Sequence, residues 1–204
     1  MIGYTFVEID MRNDFADDPR AVLPVPGTYA LVGKMCVLEE DADLVVEVYD
    51  NHEEGDPVSQ EEFKSFPPHC IPGTWGHERI PGLHTPEFAS FKRFPKNTYD
   101  AWGCQVGMDS CTESTGRFLS IIQESEMVVV GGVVTGICVK AFVEGMIGKG
   151  LAGKTVVISD CVANLEGAEG IPSTEELFTA WEEAGVTIQT FEEFLKHHLV
   201  KTDQ

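Results

Sequence analysis

Residues 127–150 read MVVVGGVVTGICVKAFVEGMIGKG, and this stretch decides the fold. Met127 to Val130 is a short, continuous apolar run rich in Val, the pattern of a strand buried on both faces. Gly131 and Gly132 interrupt it. From Gly136 a helical pattern begins, with Ile137, Ala141, Phe142 and Met146 recurring on one face, and Gly150 ends it. Cys138 falls in the first turn of that helix. Unsatisfied backbone N–H groups there favour a thiolate, so the position suits a nucleophile. On position alone, structural burial is the commoner fate of a free cysteine.

The same alternation continues in both directions. Ile2 to Ile9 reads as a strand closed by Asp10, and an acid at the carboxyl end of a strand lies where open α/β sheets build their sites. Thr28 caps a helix with Leu31, Val32, Met35 and Leu38 on one face. Asp43 to Tyr49 is a second strand. Glu87 to Phe94 is a third, with Lys96 just beyond its end. Thr112 to Glu126 is helical, and Thr155 to Ser159 is another buried strand. Ser173-Thr174-Glu175-Glu176 is a capping box that opens a helix. Val186 to Gln189 and Phe191 to His198 form a last strand and a closing helix. This order predicts an α/β fold: one domain over residues 1–204, with a doubly wound, mostly parallel six-stranded sheet and helices on both faces.

Composition narrows the function. The net charge is −20, from 34 acids against 14 bases, with no basic cluster. Nucleic acid and anionic membrane surfaces are therefore not expected partners. No apolar run reaches the roughly 20 residues that span a bilayer, and the acidic N-terminus does not read as a signal peptide. The six cysteines are scattered singly. They fit reduced thiols in a cytoplasm better than a disulfide framework.

Residues 50–82 form a long polar stretch rich in Pro and Gly, and a connection of this length is usually functional. It opens with Asp50-Asn51-His52 and continues through Phe66-Pro67-Pro68-His69. One carboxylate and two imidazoles supply three legs of a metal site with open positions. A surface grouping by chance is the alternative.

Four segments together resemble the isochorismatase-like cysteine hydrolases, in particular their nicotinamidase/pyrazinamidase branch. Gly132-Val133-Val134-Thr135-Gly136-Ile137-Cys138-Val139 is similar to their G-V-A-T-D-x-C-V signature. Ile9-Asp10-Met11-Arg12-Asn13-Asp14-Phe15 resembles their D-x-Q-N-D-F opening. Asp50-x-His52 with Pro67-Pro68-His69-Cys70 resembles the metal motif. Lys96-x-x-Tyr99-Asp100-Ala101-Trp102 resembles the segment that follows the catalytic lysine.

The resemblance implies Cys138 as nucleophile, Asp10 as proton carrier and Lys96 between them. It implies a cis peptide at Val133–Val134 that turns the Val134 N–H, with that of Cys138, toward an oxyanion. It implies a divalent metal, zinc first and iron or manganese next, on Asp50, His52 and His69, with Glu61 as a candidate fourth ligand. Phe15, Phe66 and Tyr99 match the aromatic wall of the substrate pocket. A looser register would select Lys92 instead of Lys96. The implied substrate is a small amide, most simply nicotinamide, and the implied assembly a homo-oligomer. A related amidase acting on another carboxamide or an N-carbamoyl compound, and a non-catalytic binding module on the same fold, are the alternatives. Gly136 departs from the pattern, standing where an acid is usual.

Overall fold

A computed structural model of the chain describes residues 2–83, 90–103 and 115–199. Six strands run β1 Ile2–Ile9, β2 Leu44–Asp50, β3 Ser90–Lys96, β4 Ser125–Val133, β5 Thr155–Ala163 and β6 Thr187–Gln189. The α-helices are α1 Thr28–Asp41, α2 Pro57–Glu62, α3 Thr115–Glu124, α4 Lys140–Gly148, α5 Thr174–Glu183 and α6 Phe191–Leu199. The sheet order is β3-β2-β1-β4-β5-β6, and every pair is parallel. This is the doubly wound α/β sheet, with its order reversing between β1 and β4. Ligand crevices form at the carboxyl ends of strands at such a reversal.

Two apolar layers cover the sheet. Val7, Ile9, Val46, Val48, Val128 and Val130 face one layer, completed by Phe118, Phe142, Val143 and Trp181 from α3, α4 and α5. Tyr4, Phe6, Val45 and Val129 face the other, completed by Leu31, Met35 and Leu38 from α1 and Phe194 from α6. Strands buried on both faces lose the polar/apolar alternation, which is why they read as near-continuous Val runs.

Several boundaries move. Thr28 does not cap α1; Gly27 does, at φ 86, while the Thr28 hydroxyl donates to the Val25 carbonyl at 2.7 Å. Ser125 and Glu126 belong to β4 rather than to the preceding helix. The expected starts of the third strand at Glu87 and of the helix at Thr112 lie outside the described residues. The long loop contains a short helix, α2, announced by Asp56-Pro57: Asp56 caps it and Pro57 opens it. The helix after β4 begins as a π-helical turn, Thr135–Val139, before α4 takes over. No helix among the described residues is long and apolar enough to cross a membrane.

Candidate active site

The reversal point brings three strand ends together. Asp10 follows β1, Asp50 ends β2, and Lys96 ends β3 directly beside Asp50 in the parallel register. Side chains alternate along β1, so Tyr4, Phe6 and Glu8 point to one face and Asp10 would be next. Asp10 instead adopts φ 53. Its carboxylate meets Lys96 Nζ at 2.7 Å and accepts the Asp50 amide at 2.8 Å. Lys96 also pairs with Asp50 and lies 3.6 Å from Cys138 Sγ. A carboxylate oxygen of Asp10, one of Asp50 and the Cys138 sulfur all lie within 4.8 Å of one another.

The glycine pair in front of Cys138 is needed for this approach. Gly132 sits at φ 127, and a Cβ there would fall 2.0 Å from the Ile9 carbonyl oxygen. No side chain fits, so β4 can run tight against the end of β1 and Cys138 can reach Asp10. The Val133–Val134 peptide is cis. Beyond it, the Val139 amide bonds back five residues to Val134 O at 3.2 Å, and Cys138 lies within that widened turn.

All four charged or reactive groups are buried. Burial and the Asp50 carboxylate push the Asp10 carboxyl up to about 6, against the pull of Lys96. Burial would discharge Lys96, but the Asp10 and Asp50 carboxylates outweigh it and hold the ammonium well above its ordinary value. Burial also holds the Cys138 thiol well above its ordinary value, with Lys96 pulling the other way. Helix position alone predicts the opposite sign; removal from water outweighs it. A carboxylate oxygen of Asp10 lies within 4.8 Å of the Cys138 sulfur, close enough for the carboxylate to take the thiol proton with a small shift.

Beside this trio lies a second cluster. Ligand atoms of Asp50, His52, Glu62 and His69 all fall within 4.8 Å of one another. His69 Nε2 is 3.5 Å from Asp50 Oδ2 and 3.6 Å from Glu62 Oε1. Both imidazoles are oriented from behind. His69 Nδ1 donates to the Pro67 carbonyl at 2.8 Å. Ser59 gives its only hydrogen to Asp56, so it accepts from His52 Nδ1 at 3.0 Å. Both Nε2 lone pairs therefore face the carboxylates, the arrangement of metal-ligating histidines. His52 Nε2 and Asp50 Oδ2 are buried without a hydrogen-bond partner. Two imidazoles and two carboxylates aimed at one point suit a divalent ion such as zinc, iron or manganese.

Glu61 is not in this cluster. It is exposed and pairs with Lys64. Ser59 faces His52, and on a helix its neighbour three residues on, Glu62, shares that face while Glu61 does not. Lys92 is likewise elsewhere: it lines a small cavity with Ile2, Asp43 and Arg117 at the opposite end of the strands. Phe15 is buried with its ring 5.5 Å from that of His69, and Phe66 stands 6.5 Å away. Phe63, which the sequence reading did not single out, is 5.1 Å from His52. Tyr99 is half exposed and lines, with Phe66, Trp102, Gly136, Ile137 and Ile171, a groove of about 680 Å³. The Gly136 amide donates to Asn164 Oδ1 at 2.9 Å, and a Cβ there would meet Ile171 at 2.4 Å. Ile171 thus occupies the room that a side chain at 136 would need.

The Isochorismatase domain matches residues 4–192. The chain belongs to the isochorismatase family. Within it, the chain is 27% identical over 186 residues to the nicotinamidase/pyrazinamidase of Mycobacterium tuberculosis, covering 84% of this chain and 92% of that protein. Its fold is similar to that of the Acinetobacter baumannii nicotinamidase/pyrazinamidase, with TM-score 0.75, 21% identity and coverage of 96% and 99% of the two chains. It is also similar to the Pyrococcus horikoshii pyrazinamidase solved with zinc, with TM-score 0.68, 21% identity and coverage of 92% and 98%.

Proposed function

We propose that this family member is a metal-dependent cysteine amidase that converts nicotinamide, or a close aromatic carboxamide, to the acid and ammonia. The observation that carries the reading is the contact of Lys96 with both Asp10 and Cys138, directly against the Asp50/His52/Glu62/His69 cluster. The nicotinamidase and pyrazinamidase relatives support the choice of substrate class.

Cys138 attacks the amide carbon as its proton passes to Asp10, forming the S–C bond. The Lys96 ammonium lowers the cost of negative charge on sulfur and on Asp10. The carbonyl oxygen, now negative, takes hydrogen bonds from the backbone N–H groups of Val134 and Cys138. Asp10 returns the proton to the nitrogen, the C–N bond breaks, and ammonia leaves a thioester. Water then attacks the thioester carbon, giving its proton to Asp10. The S–C bond breaks, the acid departs, and Cys138 is reprotonated. Asp50, His52, His69 and Glu62 would hold the metal, which supplies a Lewis-acid anchor for the heteroaromatic nitrogen. Phe15 and Phe66 flank the ring.

The test is ammonia release from nicotinamide, pyrazinamide and benzamide, with and without a chelator. Turnover of the first two that is lost on chelation and restored by zinc supports the reading. Equal turnover of benzamide, which lacks the ring nitrogen, would remove the anchoring role. No release from any of the three would remove the amidase reading.

A further inference from the structure

His69 lies in a loop outside the sheet, so something must hold it at the right height. That support is concentrated on three consecutive residues after β1. The Asn13 amide donates to the Glu78 carbonyl at 2.9 Å, and its side chain donates to the Trp75 carbonyl at 2.9 Å. Phe15 sets its ring against that of His69. Between them Asp14, which is 5% exposed, accepts the Cys70 amide at 2.7 Å on Oδ2 and the Val22 amide at 3.3 Å on Oδ1.

Cys70, whose N–H donates to Asp14, is the pivot of this support. It follows His69 directly and has φ 48, a left-handed conformation that few side-chain-bearing residues adopt. Its carbonyl in turn accepts the His52 amide at 3.3 Å. One peptide unit pair therefore ties both histidines together, and its N–H end is fixed by Asp14. Gly76 adds an independent sign that the carboxylate position matters: a Cβ at residue 76 would lie 2.1 Å from the Asp14 carboxyl group.

We infer that Asp14 is a positioning residue for the cluster of Asp50, His52, Glu62 and His69, acting through the Cys70 backbone rather than by touching metal or substrate. The inference rests on the metal-site reading given above. Groups behind a metal's ligands typically matter about 10- to 100-fold in metal affinity.

The experiment is zinc affinity of the full chain by competition with a chromogenic chelator, run beside thermal melting of the metal-free protein. The cobalt(II) form supplies an absorption spectrum that reports ligand geometry. Parent protein that takes up no zinc would overturn both the metal-site reading and this inference. Where the parent binds zinc, Asp14→Ala is expected to raise its Kd by about tenfold or more and to alter the cobalt spectrum. Asp14→Asn retains an oxygen for the Cys70 amide and is expected to recover most of that loss. An Asp14→Ala protein that melts lower yet binds zinc within twofold of the parent would overturn the inference alone. Gly76→Ala, which leaves every Asp14 partner in place but intrudes on the carboxylate, should weaken zinc in the same way. It carries the same test if Asp14→Ala does not fold; unchanged affinity there overturns the inference.

Discussion

Strands β1, β2 and β3 carry buried charge on both faces of the sheet, and the two faces treat it differently. On the α1 side, Glu8, Glu47 and Arg93 sit side by side in register. Glu47 bonds Arg12 through one oxygen and Arg93 through the other, each at 2.6 Å, and Arg79 pairs with both Glu8 and Glu39. On the α4 side, Asp10, Asp50 and Lys96 crowd together with Cys138, and Asp50 Oδ2 and His52 Nε2 are left without hydrogen bonds. One face spends its charges on each other. The other holds two carboxylates against one ammonium and turns Asp50, His52, Glu62 and His69 toward one point. A network in which each carboxylate meets a guanidinium is scaffold, whereas a cluster that leaves a carboxylate oxygen and an imidazole nitrogen unpartnered is shaped for something that arrives later.

The sharpest way to break this contrast is to exchange the consequences of mutation. Cys138→Ala is expected to lower kcat/KM for nicotinamide by at least about four orders of magnitude, with stability changed by about 1 kcal/mol or less. Residual activity above one percent would show that the sulfur is not the nucleophile. Glu47→Gln should do the reverse. Removing one partner of a buried charge network costs about 3 kcal/mol, while kcat/KM of the folded protein should stay within threefold of the parent. Urea unfolding and steady-state kinetics on the same samples decide the matter.

Metal removal probes the unsatisfied face by itself. Zinc at about 100 times its Kd should stabilise the protein by about 2.7 kcal/mol, and a chelator should abolish that gain. The pair Glu62→Gln and Glu61→Gln narrows it further. The first should weaken zinc by about tenfold, and the second, on a surface carboxylate, should leave it unchanged. Equal effects would remove Glu62 from the ligand set.

Much of this architecture is legible in the sequence because the sheet is buried on both faces. Valine runs such as 128–130 and 156–157 carry little ambiguity once helices separate them. The ends of β1, β2 and β3 point to Asp10, Asp50 and Lys96, and the fold brings these to Cys138. What escaped reading depends on phase or on environment. The Glu61/Glu62 choice turns on a single residue of helical rotation, although Asp56-Pro57 marks where that helix starts. The Asp10 backbone turn to the α4 face leaves no trace in composition. The sign of the Cys138 shift is set by its burial, which only the packed structure reveals. Asp14 carries no local signal of its role because its partner, Cys70, lies 56 residues away.

A pH series tests the α1 face through Glu8. Burial, opposed by Arg79 and assisted by a hydrogen bond to Glu39, pushes the Glu8 carboxyl up to about 8. Its value in the unfolded chain is near 4.5. Between those two pH values the folded protein keeps a proton that the unfolded chain has released, so stability falls as pH rises through the window. Glutamine is nearly isosteric with the neutral acid, offering an oxygen to Arg79 and an N–H to Glu39, but it cannot ionise. Glu8→Gln should therefore match the parent near pH 4.5 and gain on it as pH rises, by up to about 1 kcal/mol per unit until about pH 8. Urea unfolding at pH 5, 6, 7 and 8, with chelator present so that metal linkage does not contribute, measures the difference. A difference that stays flat, or runs the other way, would mean that Glu8 is ionised in the folded protein. The α1 face would then set three carboxylates, Glu8, Glu39 and Glu47, against three guanidiniums, Arg12, Arg79 and Arg93, and leave no charge uncompensated.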